Sequence, residues 1–202
     1  TTDKDNNQFW NATDACCAFG KGPDDSTYLS KLISEIKASY KVDPRRVFLI
    51  GHSNGGFMSY RMACDHADQI AAIVSMAGAT WLTTSKCKPT QKVSVLQVHG
   101  DLDATIQYKG SAIAGYGYPG GAQSARTWAA YNGCKATTTP GSKNLDLEAT
   151  ISGAETVVAR HQGCPSGVGV ELWTIKGGGH VPLFTANFAS QTWAFLKGHP
   201  RP

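Results

Sequence analysis

Apolar positions along this chain follow two rhythms. Tyr28, Leu29, Leu32, Ile33, Ile36 and Tyr40 recur at three- and four-residue spacing, which predicts an amphipathic helix over 26–40. Asp24, Asp25 and Ser26 stand just ahead of it with side chains suited to capping. Elsewhere the apolar residues run continuously for the length of a strand, at 47–50, 70–77 and 93–99, and strands are also expected at 156–160 and 170–175. Runs without a polar face suit a parallel sheet covered on both sides. Helical patterns return over 54–66, 122–131 and 184–196. Strands alternating with helices predict an α/β sheet. Residues 1–25 and the glycine-rich stretch 110–121, with Tyr116, Tyr118 and Pro119, read as loops. No repeat or linker interrupts the pattern, so residues 1–202 read as one domain.

The run at 47–50 leads into Gly51-His52-Ser53-Asn54-Gly55, and a helical pattern starts at once. Strand, Gly-x-Ser-x-Gly turn and helix together form a nucleophile elbow. The sharp turn requires an unfavourable backbone angle at Ser53, so that its hydroxyl projects above the sheet edge. Side chains on Gly51 and Gly55 are expected to collide with neighbouring chain. The N-terminus of the following helix then underlies the reaction centre, and the Asn54 N–H is a candidate oxyanion donor.

A serine hydroxyl needs a base. Of the six histidines, His180 follows three glycines at the end of the last clear strand, where the loop can fold back toward Ser53. His52 lies inside the elbow and is expected to face away from the nucleophile. His99 ends a strand before Gly100, a position that suits anchoring of the next loop. The carboxylate that orients the base is sought after an earlier strand, and His99-Gly100-Asp101-Leu102-Asp103 offers two. Asp103 is placed to reach inward, whereas Asp101, directly after the turn, suits capping or ordering the loop. The order Ser53, Asp103, His180 is that of α/β-hydrolases, not of chymotrypsin-like or subtilisin-like enzymes.

Composition narrows the reading. Apolar content of 41% and charged content of 17% describe an ordinary globular chain. A net charge of +4 on scattered lysines and arginines argues against a nucleic-acid partner. No apolar run reaches the ~20 residues of a membrane span. The first eight residues are polar and start without Met, which reads as a processed or trimmed beginning. Six cysteines without a C-x-x-C pair favour three disulfides in a secreted or periplasmic protein over zinc or thiol redox chemistry, and no metal or cofactor is expected. Cys134 with Cys164 is the preferred pair, both flanking a run of short strands. Adjacent Cys16 and Cys17 are not expected to bond each other. They would instead staple the opening loop to the helix after Ser53 and to the loop near Cys87. Asn11-Ala12-Thr13 is a glycosylation sequon.

Several motifs together carry a resemblance. Phe9-Trp10-Asn11 leads to Cys16-Cys17, and Asp43-Pro44-x-Arg46-Val47 leads to Gly-His-Ser-Asn-Gly-Gly. Met62-Ala63-Cys64, Cys87-x-Pro89, His99-Gly100-x-x-Asp103, Asn132-Gly133-Cys134 and Gly178-Gly179-His180 follow. The set resembles the polyhydroxybutyrate depolymerase/feruloyl esterase group of secreted α/β-hydrolases. The resemblance implies a Ser53–Asp103–His180 triad that cleaves carboxylic esters, of polyhydroxyalkanoate or feruloyl (phenolic) type, through an acyl-enzyme. A serine peptidase and a non-catalytic polymer- or carbohydrate-binding relative are the alternatives. Val181-Pro182 stands where the group usually carries Trp-Pro, so an aromatic substrate wall is missing or comes from Trp81 or Phe184. Trp81, Tyr108 and Tyr118 are candidate substrate-binding residues, with Tyr116 close by. The fold is expected to lack its N-terminal strands, with 1–3 marking the point where relatives leave their fourth strand. A leading segment of the same protein would then hold the second oxyanion donor, and without it the elbow strand would bare an apolar edge.

Overall fold

A computed structural model describes residues 2, 6–19 and 21–201. Helix α1 (Asp25–Ser39) begins where the Asp24 carboxylate caps the Thr27 N–H. Strand β1 (Phe48–His52) then leads into helix α2 (Asn54–Asp65), followed by β2 (Ala72–Met76) and β3 (Ser94–Gly100). A hairpin, β4 (Gly110–Ile113) and β5 (Tyr116–Pro119), precedes helix α3 (Gly121–Asn132). Three strands, β6 (Thr138–Pro140), β7 (Thr156–His161) and β8 (Val170–Ile175), lead to helix α4 (Ala186–Gly198).

The main sheet has the order β1-β2-β3-β8-β7-β6. Its first four strands are parallel, and β7 and β6 add on antiparallel. Strands β2 and β3 are buried almost throughout, as unbroken apolar runs require. Their side chains alternate between two cores. Ile73 and Val95 pack with Tyr60, Trp128 and Ala129 on one face. Val74, Leu96 and Val98 pack with Trp173, Phe195 and Leu196 on the other. This is a mostly parallel sheet between helix layers, the α/β-hydrolase arrangement.

Four details differ from the sequence expectation. Residues 110–121 are not an irregular loop: Ile113 pairs with Tyr116, and the two-residue turn between them, Ala114-Gly115, has positive φ at both positions (48° and 86°). That is the geometry of a tight hairpin turn. Strand β6 escaped notice because its Thr-Thr-Pro has no alternation to read. Helix α1 covers only part of its apolar stripe: Leu29 and Ile33 pack inward, whereas Tyr28, Leu32, Ile36 and Tyr40 are exposed. Cys16 and Cys17 do bond each other. The expectation counted the geometry of an adjacent pair as too strained to bond; here the two residues are joined by a cis peptide with their Cα atoms 2.9 Å apart.

The other pairs are Cys64–Cys87, which ties α2 to the loop before β3, and the expected Cys134–Cys164. With its cysteines joined to each other, the opening segment is held by hydrogen bonds instead. Asn11 is buried and its amide donates to the Pro23 carbonyl, so the sequon is not presented for glycosylation. Strand β1 forms one border of the sheet, and Ile50 on it is 53% exposed. Of the residues at the proposed point of departure, Thr1 and Asp3 lie outside the described residues. No described helix is long and apolar enough to cross a membrane.

Candidate active site

Ser53, Asp103 and His180 each follow the C-terminal end of a parallel strand, β1, β3 and β8 respectively, so all three project from one rim of the sheet. Ser53 sits at φ 52°, ψ −120°, a strained conformation for a residue with a side chain, and the strain aims its hydroxyl off the rim. The turn is tight because a Cβ on Gly51 would collide with the Gly55 carbonyl. The expectation for Gly55 does not hold, since a Cβ there meets nothing within 4 Å. The tight contact belongs to Gly56, where a Cβ would lie 3.0 Å from the Met76 carbonyl oxygen and 3.1 Å from the Gly78 Cα. There α2 crosses the end of β2.

The loop carrying His180 is folded back by the same means. A Cβ on Gly100 would strike the Gly178 carbonyl, so the turns after β3 and β8 touch backbone to backbone. Leu102 N–H donates to Gly178 O at 3.0 Å, and Gly177 N–H donates to Asp101 Oδ1 at 2.7 Å. Lys176 pairs with the same aspartate, so Asp101 orders the loop. His52 does not turn its back on the site as expected. Its Nε2 is 2.7 Å from the His180 carbonyl oxygen and the two rings are 4.8 Å apart, because the folded-back loop lies across the end of β1.

Three side chains meet as a result. Ser53 Oγ lies 3.0 Å from His180 Nε2, and His180 Nδ1 lies 2.8 Å from Asp103 Oδ2. The second Asp103 oxygen accepts the N–H groups of Thr105 and Ile106, both at 2.8 Å. Burial would raise the Asp103 pKa, but hydrogen bonds from His99, His180 and those two amides outweigh it and hold the carboxyl down at about 2. The carboxylate therefore stays ionised where it can fix the imidazole's tautomer and stabilise its cation.

Behind it lies a buried polar chain that sequence reasoning missed. Tyr60 OH donates to Gln97 Oε1 at 2.8 Å, and Gln97 Nε2 reaches both the Gly78 carbonyl and His99 Nδ1. His99 Nε2 then lies 2.7 Å from the Ile106 carbonyl oxygen and 3.2 Å from Asp103 Oδ2. His99 anchors the Asp103 loop, as its position suggested. The signal was available: Gln97 and His99 are two polar residues on one side of an otherwise apolar strand.

The aromatic residues expected at the substrate divide. Trp81 is buried in the core beside α3, and Tyr118 is buried against Phe57 with its hydroxyl accepting the Gln107 N–H. Both are packing residues here. Tyr108 is partly exposed, but its hydroxyl is engaged with Thr174 at 2.8 Å. Phe184 stacks on Phe188 with ring centroids 3.7 Å apart. Phe19 stacks on Tyr116 in the hairpin.

The sheet order and the helix layers on both faces give the chain the α/β-hydrolase fold. Residues 22–115 match the phospholipase/carboxylesterase family model. Within that class the chain is similar in sequence to feruloyl esterases and poly(3-hydroxyalkanoate) depolymerases, as its motifs implied. It is 30% identical to feruloyl esterase B of Piromyces equi over 206 aligned residues, which take in 96% of this chain and 34% of that protein. It is 26% identical to poly(3-hydroxyalkanoate) depolymerase C of Paucimonas lemoignei, over 85% of this chain and 44% of the depolymerase. The chain thus spans a third to a half of the length of these relatives. Among solved structures, an acetyl xylan esterase from Aspergillus awamori superimposes with a TM-score of 0.56 at 16% identity, covering 88% of this chain and 69% of the esterase. At that identity the likeness speaks for the fold.

Proposed function

We propose that this chain is the catalytic domain of a secreted serine esterase that hydrolyses carboxylic esters. The observation that carries the reading is the unbroken sequence of contacts from Ser53 Oγ through the His180 ring to the Asp103 carboxylate, at 3.0 and 2.8 Å. Ser53 attacks the ester carbonyl while His180 Nε2 takes its proton. His180 returns that proton to the leaving alcohol, and Asp103 orients the ring throughout. The Asn54 N–H, at the start of α2 where helix amides have no intrahelical acceptor, donates to the tetrahedral oxyanion. Water then releases the acid from the acyl-enzyme.

Relatives named for feruloyl and polyhydroxyalkanoate esters support an apolar ester substrate. So does the rim itself: Leu102 beside Asp103, and Val181 and Leu183 beyond His180, are all exposed. Three disulfides support an exported protein. The test compares p-nitrophenyl butyrate hydrolysis by wild type and Ser53→Ala. The variant is expected to lose at least ~10³-fold in kcat/KM; equal release by both proteins ends the serine-esterase reading. Clearing of a polyhydroxybutyrate film against ferulate release from methyl ferulate separates the two substrate classes.

A further inference from the structure

We infer that the cavity between the opening segment and the elbow is the subsite for a planar ring of the ester substrate, with Trp10 as its wall. The inference rests on the esterase reading above and adds to it where the substrate lies. The cavity has a volume of about 400 Å³ and is lined by Thr2, Gln8, Phe9, Trp10 and Asn54. That volume falls within the range of small-molecule sites, and the mixture of two aromatic rings with a few amide and hydroxyl groups is of the kind that holds an oriented ligand.

Its position relative to the chemistry is fixed by Asn54, the residue directly after the nucleophile. The Asn54 side chain pairs with the Trp10 peptide in both directions. Trp10 N–H donates to Oδ1 at 2.7 Å, and Nδ2 donates to the Trp10 carbonyl at 2.9 Å. One turn-pair further along α2, Arg61 donates to the carbonyls of Asn11 (2.7 Å) and Ala12 (3.1 Å). The Asn11 N–H is held by Asp25 at 2.7 Å. Three consecutive residues, 10–12, are therefore clamped to the helix that starts at the elbow. Trp10 is 37% exposed as a residue, so this wall has an open surface to offer.

Other places for the substrate ring fare worse. The cavity that touches both His52 and His180 measures about 10 Å³, room for no more than one water. Trp81 and Tyr118 are buried among core residues, and the Tyr108 hydroxyl is already bonded. Trp10 is an exposed aromatic residue whose backbone N–H and carbonyl are tied by hydrogen bonds to Asn54 of the elbow. Stacking against an indole favours a flat, electron-rich or conjugated ring over a saturated chain of similar size. Such a ring can stand on the acid side of the ester or on the alcohol side.

Three esters separate these cases: methyl ferulate, with its ring on the acid; p-nitrophenyl acetate, with its ring on the alcohol; and ethyl acetate, with none. The reading is kcat/KM for wild type, Trp10→Ala and Trp10→Phe. Trp10→Ala is expected to lower kcat/KM for one ring-bearing ester about tenfold or more relative to ethyl acetate, mainly through KM. Which of the two falls identifies the side that occupies the cavity. Trp10→Phe recovers most of the loss. A smaller folded fraction scales all three substrates alike, so the ratio is insensitive to it. An equal change on all three esters overturns the subsite and leaves the esterase reading standing. Wild type inactive on every ester removes both.

Discussion

Asp103 carries more of the site's energetics than any other single residue. Its carboxylate receives four donors, and its pKa in the folded protein, about 2, lies below the ~3.9 of an unfolded chain. The folded state thus binds fewer protons than the unfolded state between those values. The stabilisation is present above about pH 4 and is lost as the pH falls toward 2. Urea unfolding of wild type and Asp103→Asn should therefore converge as the pH drops to 2, wild type losing the larger share; parallel curves would show that the carboxylate contributes nothing through its charge. The same variant is expected to lose roughly 10³–10⁴-fold in kcat with little change in KM, because an amide cannot fix the tautomer that His180 needs. Ser53 and His180 were legible because glycines that the turns require stand close to each, and Asp103 because it follows the end of an apolar strand. The roles of His52 and Trp10 were not, since both depend on where a distant segment folds back. Such closeness leaves no local trace in the sequence.

At the scale of elements, the elbow offers a paired test of why its glycines are there. Gly51→Ala places a methyl group inside the Gly55 carbonyl, and the turn cannot relax without moving Ser53. The variant should be destabilised by ~3 kcal/mol or more and lose esterase activity. Gly55→Ala enters open space in the first turn of α2, where alanine is the better helix former, and should leave stability unchanged or raise it by about 0.5–1 kcal/mol. Denaturation midpoints of the two variants decide this; equal destabilisation would mean that the Gly55 site is more crowded than its geometry shows. A third element-level expectation concerns Cys134–Cys164, which closes a loop with a sequence separation of 30. Its removal by paired serines should cost about 3–4 kcal/mol, measured against an otherwise identical oxidised protein. Most of these elements were readable from apolar runs and helical spacing. The β4–β5 hairpin was hidden because its glycines read as loop, although Tyr116 and Tyr118 alternate with Gly115 and Gly117, and β6 because an exposed border strand need not be apolar.

Over the whole molecule, β1 forms one border of the main sheet. It pairs with β2 on one side, and Ile50 on it is exposed. Close by in the chain, Tyr28, Leu32 and Ile36 stand at four-residue intervals along the uncovered side of α1, with Tyr40 exposed beyond its end. An edge strand with unpaired amides beside apolar side chains is a template for another strand. The helical spacing of 26–40 made the apolar stripe legible; that only Leu29 and Ile33 of it meet the core could not be read without knowing which strands are present. The 202-residue chain on its own is therefore expected to self-associate as its concentration rises. Ile50→Lys should suppress the association by placing a charge on the free border, while leaving the Ser53–His180–Asp103 contacts on the strand's far rim unaltered. Light scattering coupled to size-exclusion chromatography measures both proteins over a concentration series. A wild type that stays monomeric throughout would show that the border of β1 does not recruit a strand, and association unchanged by the lysine would move the contact to another face.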